Sequence, residues 1–252
     1  MCENEKETGP ELAYNFFLKA KKELKSKNRF SNAAIDELIE RLTAEENHAI
    51  ELEEKKFIYR ARIYDLPNGP ERFKKPKLRF QGFNAVDSFV NPNPDLTPDG
   101  RCNPQFITYL YTSQSKECCI CEVRPNIGAF VSVARIKVLQ SLRLLNLSAD
   151  FVMADADKTK AIIPNVYNST LFLYLFNIFS EPASSASDYI LPQYITEKIK
   201  NKGFDGIAYK SAVYDGKGKI NYTIFNYDKC KVTSSKLYKV SKIDYMIEPN
   251  IR

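Results

Sequence analysis

One histidine, His48, and no tryptophan occur in the 252 residues. Ser-His-Asp or Cys-His chemistry would rest wholly on that imidazole, which the local pattern places in the charged part of a helix. The sequence contains no HExxH pair, no GxGxxG fingerprint and no Walker A loop. Any nucleotide held by this chain is therefore held without a glycine-rich phosphate cradle. Long apolar runs are also missing. The longest, Leu171–Phe179, is broken by Asn177 and falls well short of the ~20 residues that span a bilayer. The opening Met1-Cys2-Glu3-Asn4-Glu5 is acidic and polar, unlike a secretory signal, so a cytoplasmic protein without membrane contact is expected. Of six cysteines, Cys118, Cys119 and Cys121 crowd one turn, which is poor geometry for a disulfide framework. Reduced thiols are expected instead. Their CxxC spacing lacks the second pair of ligands that tetrahedral zinc needs, so no metal is expected.

What is present is ample core material and an uneven charge. Hydrophobic residues make up 44 %, with 16 Phe and 15 Tyr, enough for a packed domain plus a helical extension. Residues 1–60 hold 11 basic and 13 acidic side chains, a net −2, whereas the remainder carries +8. A basic half suits an anionic substrate such as a phosphate ester or nucleotide. Nucleic acid suits it too, and so does lysine scattered for solubility.

Residues 10–26 and 31–55 read as helices. In the second, Ser31 is a candidate N-cap, and Ile35, Leu38, Ile39 and Leu42 recur at helical spacing. Phe57–Tyr64 reads as a strand with Arg60 and Arg62 on one face, because strand side chains alternate. Seven of the 13 prolines fall between Pro67 and Pro104, so an irregular segment is expected there. Downstream, strands are expected at 109–113, 129–138, 142–147, 204–212, 220–232 and 236–247. Short helices are expected at 115–122 and 192–202, and a further one at 171–179. Pro192 suits a first helical turn and Gly203 a C-terminal cap. The order mixes strands and helices without strict βαβ alternation, which favours α+β.

Seven pieces of sequence stand in a characteristic order. They are Tyr59-Arg60, Gly100-Arg101-x-Asn103-Pro104, Leu110-Tyr111, Glu122, Tyr189 with Gln193, Tyr209-Lys210-Ser211-Ala212, and Asn221 with Phe225-Asn226. In this order and spacing the chain resembles the RES domain family over about residues 57–230. The resemblance implies a split antiparallel β core like that of ADP-ribosyltransferases, with residues 1–56 as an N-terminal helical extension to a catalytic domain at 57–252. It also implies an NAD-degrading enzyme, the toxin of a bacterial toxin–antitoxin pair. NAD would be the substrate, with no cofactor. The expected partner is a helix-turn-helix antitoxin that blocks the cleft, so nucleic acid is met only through the antitoxin.

The residues suit those roles. Guanidinium binds phosphate oxygens bidentately, which fits Arg60 and Arg101, with Arg62 a further candidate on the same strand face. Tyr111 can stack on the nicotinamide ring. Cleavage of the nicotinamide–ribose bond develops positive charge on the sugar, and Glu122 is the candidate carboxylate to face it. Ser211 and Asn221 would complete the cleft, with Ser187 competing for the family's serine role. Each group also has an ordinary reading: ion-pair residues for the arginines, a helix-end cap for Glu122, core for Tyr111, a strand-end residue for Ser211. Two further functions remain open. One is transfer of ADP-ribose to a macromolecule on the same fold. The other is a non-enzymatic basic module that binds nucleic acid.

Overall fold

The computed structural model describes residues 8–44, 48–65, 82–91, 93–148, 166–181 and 185–244. Helices α1 (Gly9–Ser26) and α2 (Ala33–Ala44) open the chain, followed by strands β1 (Ala49–Leu52) and β2 (Phe57–Ile63). Strand β3 (Leu110–Ser113), helix α3 (Lys116–Glu122) and strands β4 (Phe130–Val138) and β5 (Leu142–Asn146) come next. Helices α4 (Val166–Ser180) and α5 (Ile190–Asn201) precede β6 (Gly206–Lys210), β7 (Ile220–Ile224) and β8 (Cys230–Lys239). The architecture is α+β. One sheet has the order β1-β5-β6-β7-β3-β2-β4-β8, antiparallel at every pairing except β5 with β6.

The sheet is split. β2 pairs with β4 over seven residues but with β3 through one pair, Tyr59 opposite Ser113. Beyond that pair the two halves part, which leaves a wedge between β2 and β3. On one face, α3 covers the β2–β4 half through Ala61, Cys119, Val131 and Val133. Helices α1, α2, α4 and α5 cover the other half in a core that includes Phe17, Leu42, Leu175, Ile195, Ile207 and Tyr209. Side chains alternate along a strand, so Leu110, Ala208, Tyr222 and Ile224 turn to the opposite face and join Ile58 and Ile136 there. Each such burial contributes roughly 1.5–3 kcal/mol.

The N-terminal helices share the core of the sheet. Ala13, Phe17, Leu24, Ile35 and Leu42 are buried against α4 and α5. Polar contacts fix the docking: the Asn32 amide donates to Tyr194 Oη at 2.8 Å, Tyr194 Oη donates to Asp36 at 2.5 Å, and Lys198 pairs with Asp36 at 3.0 Å. Asn32, not Ser31, caps α2, since its Oδ1 accepts from the Ile35 amide. The expected helix 31–55 ends at Ala44, and Ala49–Leu52 is a strand paired with Leu142–Leu145. The apolar stripe gives way to charged residues after Leu42, and the non-local pairing wins because it satisfies the backbone of an otherwise bare edge of β5. His48 is consequently buried, 2 % exposed, with its ring 6.0 Å from Phe172, and not on a charged helix face. The expected strand 220–232 is also interrupted. Tyr227–Lys229 forms a 3-10 turn, and the last strand runs Cys230–Lys239. Asp205 enforces this break by accepting from Asn226 Nδ2 at 2.6 Å and Lys229 Nζ at 2.8 Å. Among the described residues, no helix is long and apolar enough to cross a membrane.

Candidate active site

Between α3 and the α4–α5 layer, the floor of the sheet is formed by β3 and β7. Tyr111 lies opposite Thr223 and Ser113 opposite Asn221, so these four side chains share the face that carries the helices. One side-chain cluster is built on this floor at Ser113, and a second lies in the wedge beside Tyr111, about 7 Å away along β3 at the usual rise per strand residue. Tyr59 and Ala61 face α3, so Arg60 and Arg62 leave β2 on the other face.

The first cluster centres on Glu122, the last residue of α3. Ser115 caps that helix by accepting from the Cys118 amide at 3.1 Å. Seven helical residues then carry Glu122 to the ends of β6 and β7. Its Oε1 accepts from Ser211 Oγ at 2.6 Å and from Asn221 Nδ2 at 2.6 Å. Ser211 in turn accepts from the amides of Val213 at 3.2 Å and Tyr214 at 3.1 Å. With its lone pairs engaged, the hydroxyl has its proton left for Glu122. Glu122 is exposed, so one carboxylate oxygen is fixed and the other has no partner among the described residues. Ser187, the competing serine, bonds Ser185 Oγ at 2.9 Å on the turn before α5. Ser211 is therefore the serine at Glu122.

The second cluster lines a cavity of about 290 Å³ in the wedge where β2 and β3 part, with walls that include Arg60, Arg62, Gly100, Asn103, Tyr109 and Tyr111. Arg60 Nη1 reaches across the split to the Tyr111 carbonyl at 3.0 Å. Its Nε is inaccessible and has no hydrogen-bond partner among the described residues. Burial, reinforced by the neighbouring Arg62, brings the Arg60 guanidinium down to about 10, still cationic at neutral pH. Arg62 is held by the Asp87 and Phe89 carbonyls.

Tyr111 is fixed through its hydroxyl, which donates to Asn103 Oδ1 at 2.6 Å and accepts from the Cys102 amide at 3.0 Å. Burial raises its phenol well above the usual value, so it stays neutral. Gly100 leaves room for this arrangement, since a Cβ there would lie 2.6 Å from Asn103 Oδ1 and 2.9 Å from Tyr111 Oη. Gln193 of α5 ties the loop down by donating from Nε2 to the carbonyls of Gly100 at 2.8 Å and Asn103 at 3.0 Å. Its Oε1 accepts from Arg29, in the connection between α1 and α2, at 3.2 Å.

Arg101 is not brought to this cavity. Its guanidinium bonds the carbonyls of Ile178 at 2.8 Å and Glu181, so it satisfies the open carbonyls at the end of α4. Asn226 likewise serves Asp205 and not the floor. Ser113 and Cys118 were missed from the sequence. Both touch Asn221 Oδ1, at 2.6 and 3.5 Å. The available signal was the Tyr-x-Ser alternation of β3, which puts Ser113 on the face of Tyr111. Burial pushes Cys118 and Cys102 up to about 11, so neither is a thiolate at neutral pH. Among the described residues, no group of His, Cys, Asp and Glu is arranged to hold a metal.

No curated protein matches the chain. One solved structure similar to it is titled as the M. tuberculosis MbcT-MbcA toxin-antitoxin complex, with a TM-score of 0.45 and 15 % identity. That match covers 81 % of this chain and 93 % of the other. The family model described as the RES domain matches residues 72–246, most of the sequence. Arg60, Arg62 and the N-terminal helices lie before that stretch. By that match over most of its sequence, the chain belongs to the RES domain family.

Proposed function

We propose that this protein cleaves the nicotinamide–ribose bond of NAD and acts as the toxin of a toxin–antitoxin pair. The observation that carries the reading is the Glu122 carboxylate, pinned through Oε1 by Ser211 and Asn221 with no described residue on Oε2, on the β3–β7 floor whose Tyr111 also lines a cavity with a half-buried arginine. In the reaction, the C1′–N bond breaks and its electron pair stays on the nicotinamide nitrogen, neutralising the pyridinium. The ribosyl carbon takes up positive charge. Glu122 Oε2 is available to accept from a ribose hydroxyl and to face that charge. A preorganised group of this kind typically contributes about 2.7–4 kcal/mol. Water, losing a proton, or a phosphate oxygen then captures the ribose. NAD is a substrate here, and no cofactor takes part.

Arg60 is the group placed to meet the pyrophosphate. Its guanidinium lines the cavity and is cationic at neutral pH, as phosphate oxygens require. The partner in this reading is a small helix-turn-helix antitoxin that covers the cleft, and a neighbouring reading frame of that type is the expected genetic context. The decisive assay incubates the purified protein with NAD labelled in the nicotinamide and adenosine halves, with and without phosphate. Free nicotinamide with free ADP-ribose, or its 1-phosphate, is the expected result, and Glu122→Gln should abolish it. Adenosine label retained on a macromolecule would assign transfer instead, and an unconsumed substrate would reject the reading.

A further inference from the structure

The carboxamide of Asn221 meets different partners at its two ends. Nδ2 lies 2.6 Å from Glu122 Oε1, while Oδ1 lies 2.6 Å from Ser113 Oγ and 3.5 Å from Cys118 Sγ. An ionised carboxylate only accepts, so the Glu122 side requires the NH₂ end. The opposite side then presents the carbonyl oxygen, and both Ser113 and Cys118 have a proton to give it. Ser113 is 2 % exposed, Asn221 4 % and Cys118 0 %, so bulk water does not compete for these bonds. The Cys118 thiol keeps its proton at neutral pH because burial pushes it up.

We propose that Ser113 and Cys118 are positioning residues that donate to Asn221 Oδ1 and so anchor the far end of its amide while Nδ2 bonds Glu122. Turned end for end, the amide would set its oxygen against the carboxylate, which has no proton to give. Glu122 would then lose one of its two charge-assisted bonds. The fold supplies both donors independently. Ser113 sits opposite Asn221 on β7 and opposite Tyr59 on β2, the single pair that joins the two halves of the sheet. Cys118 stands four residues before Glu122 on α3, so one helix face carries the donor and the carboxylate together. The inference rests on the NAD-cleavage reading only for its kinetic consequence, since the amide orientation is a property of the protein itself.

The full chain serves for the test, as wild type, Ser113→Ala, Ser113→Thr and Cys118→Ala. The amide readout is the side-chain NH₂ of Asn221 in protein labelled with ¹⁵N-asparagine, assigned by its disappearance in Asn221→Asp. In wild type the pair should be resolved and protected from hydrogen exchange. Ser113→Ala should lose that protection. Its kcat for nicotinamide release should fall about 10- to 100-fold, as when a hydrogen bond to a charged group is lost. KM should stay within about two-fold, because substrate binding is untouched. Ser113→Thr, which keeps the donor, should restore protection and most of kcat. Cys118→Ala, with a weaker S–H donor removed, should shift both readouts in the same direction by less, and it replaces Ser113→Ala if that variant does not fold. Unchanged exchange protection and kcat in the alanine variants would overturn the proposal. If wild type releases no nicotinamide, the functional reading fails, and the amide exchange still decides the positioning role.

Discussion

Ser211 gives its hydroxyl proton to Glu122 across 2.6 Å while the amides of Val213 and Tyr214 donate to its oxygen. The backbone of the turn after β6 thus sets the direction of a bond to the carboxylate. Ser211→Ala removes one of two donors to Oε1. Nicotinamide release in single-turnover assays is expected to fall about 10- to 100-fold, the usual size of a lost charge-assisted bond. The far-ultraviolet circular dichroism should be unchanged. A variant with wild-type turnover would remove Ser211 from the site.

Arg60 is costly for the folded protein and useful only with an anion beside it. Its guanidinium is desolvated, its Nε has no hydrogen-bond partner among the described residues, and the folded state lowers its affinity for a proton. Arg60→Met keeps the bulk and drops the charge. NAD affinity by calorimetry is expected to weaken at least about ten-fold, while unfolding free energy changes by less than about 1.5 kcal/mol, as for other replacements of buried charge by apolar side chains. Equal losses in binding and stability would mean that Arg60 is structural.

Gln193 and Arg29 separate two kinds of support for the Gly100–Pro104 loop. Gln193 is 5 % exposed and serves two carbonyls, whereas Arg29 is exposed and serves one oxygen. Urea unfolding of Gln193→Ala should show a loss of about 1–3 kcal/mol, because buried acceptors are left unpaired. Arg29→Ala should lose under about 1 kcal/mol, as exposed charged contacts do. Comparable losses for the two would place the loop's anchor elsewhere.

Acid sensitivity should trace in part to Asp205. Burial opposes its ionisation, but Lys229, Asn226 and the Arg143 amide outweigh this and hold its carboxyl below the usual value. A depressed folded-state value contributes stability that is present above the unfolded-state value and lost as pH falls through the folded one. Wild-type stability should therefore decline below about pH 4 more steeply than that of Asp205→Asn. Thermal midpoints measured between pH 2 and 6 would check this, and parallel acid limbs would exclude Asp205 as a source.

The residues around Glu122 were legible through the order of the motif pieces that resemble the RES domain family, and the fold brings Ser211 and Asn221 to one oxygen of Glu122. Arg101 misled because guanidinium suits a phosphate and a helix C-terminus equally well. Only the position of α4 decides between them. Ser187 and Ser211 were equivalent on paper, and the distance to Glu122 separates them. The second helix was overextended because charged residues continue its spacing past Ala44, while the edge of β5 that recruits Ala49–Leu52 lies some ninety residues away.

The sequence by itself determined an α+β domain, most of its helices and strands though not the strand Ala49–Leu52 or the break at Tyr227–Lys229, and the acidic and amide groups available for chemistry. Local periodicity and side-chain type carry that information without reference to distant parts of the chain. The tertiary structure alone decided that β2 meets β3 at a single pair, that Arg60 lies in the resulting wedge, and that Arg29 reaches Gln193, which ties down the loop around Tyr111. Those relations depend on strands and helices far apart in sequence, whose pairing is settled by shared burial and not by any local pattern.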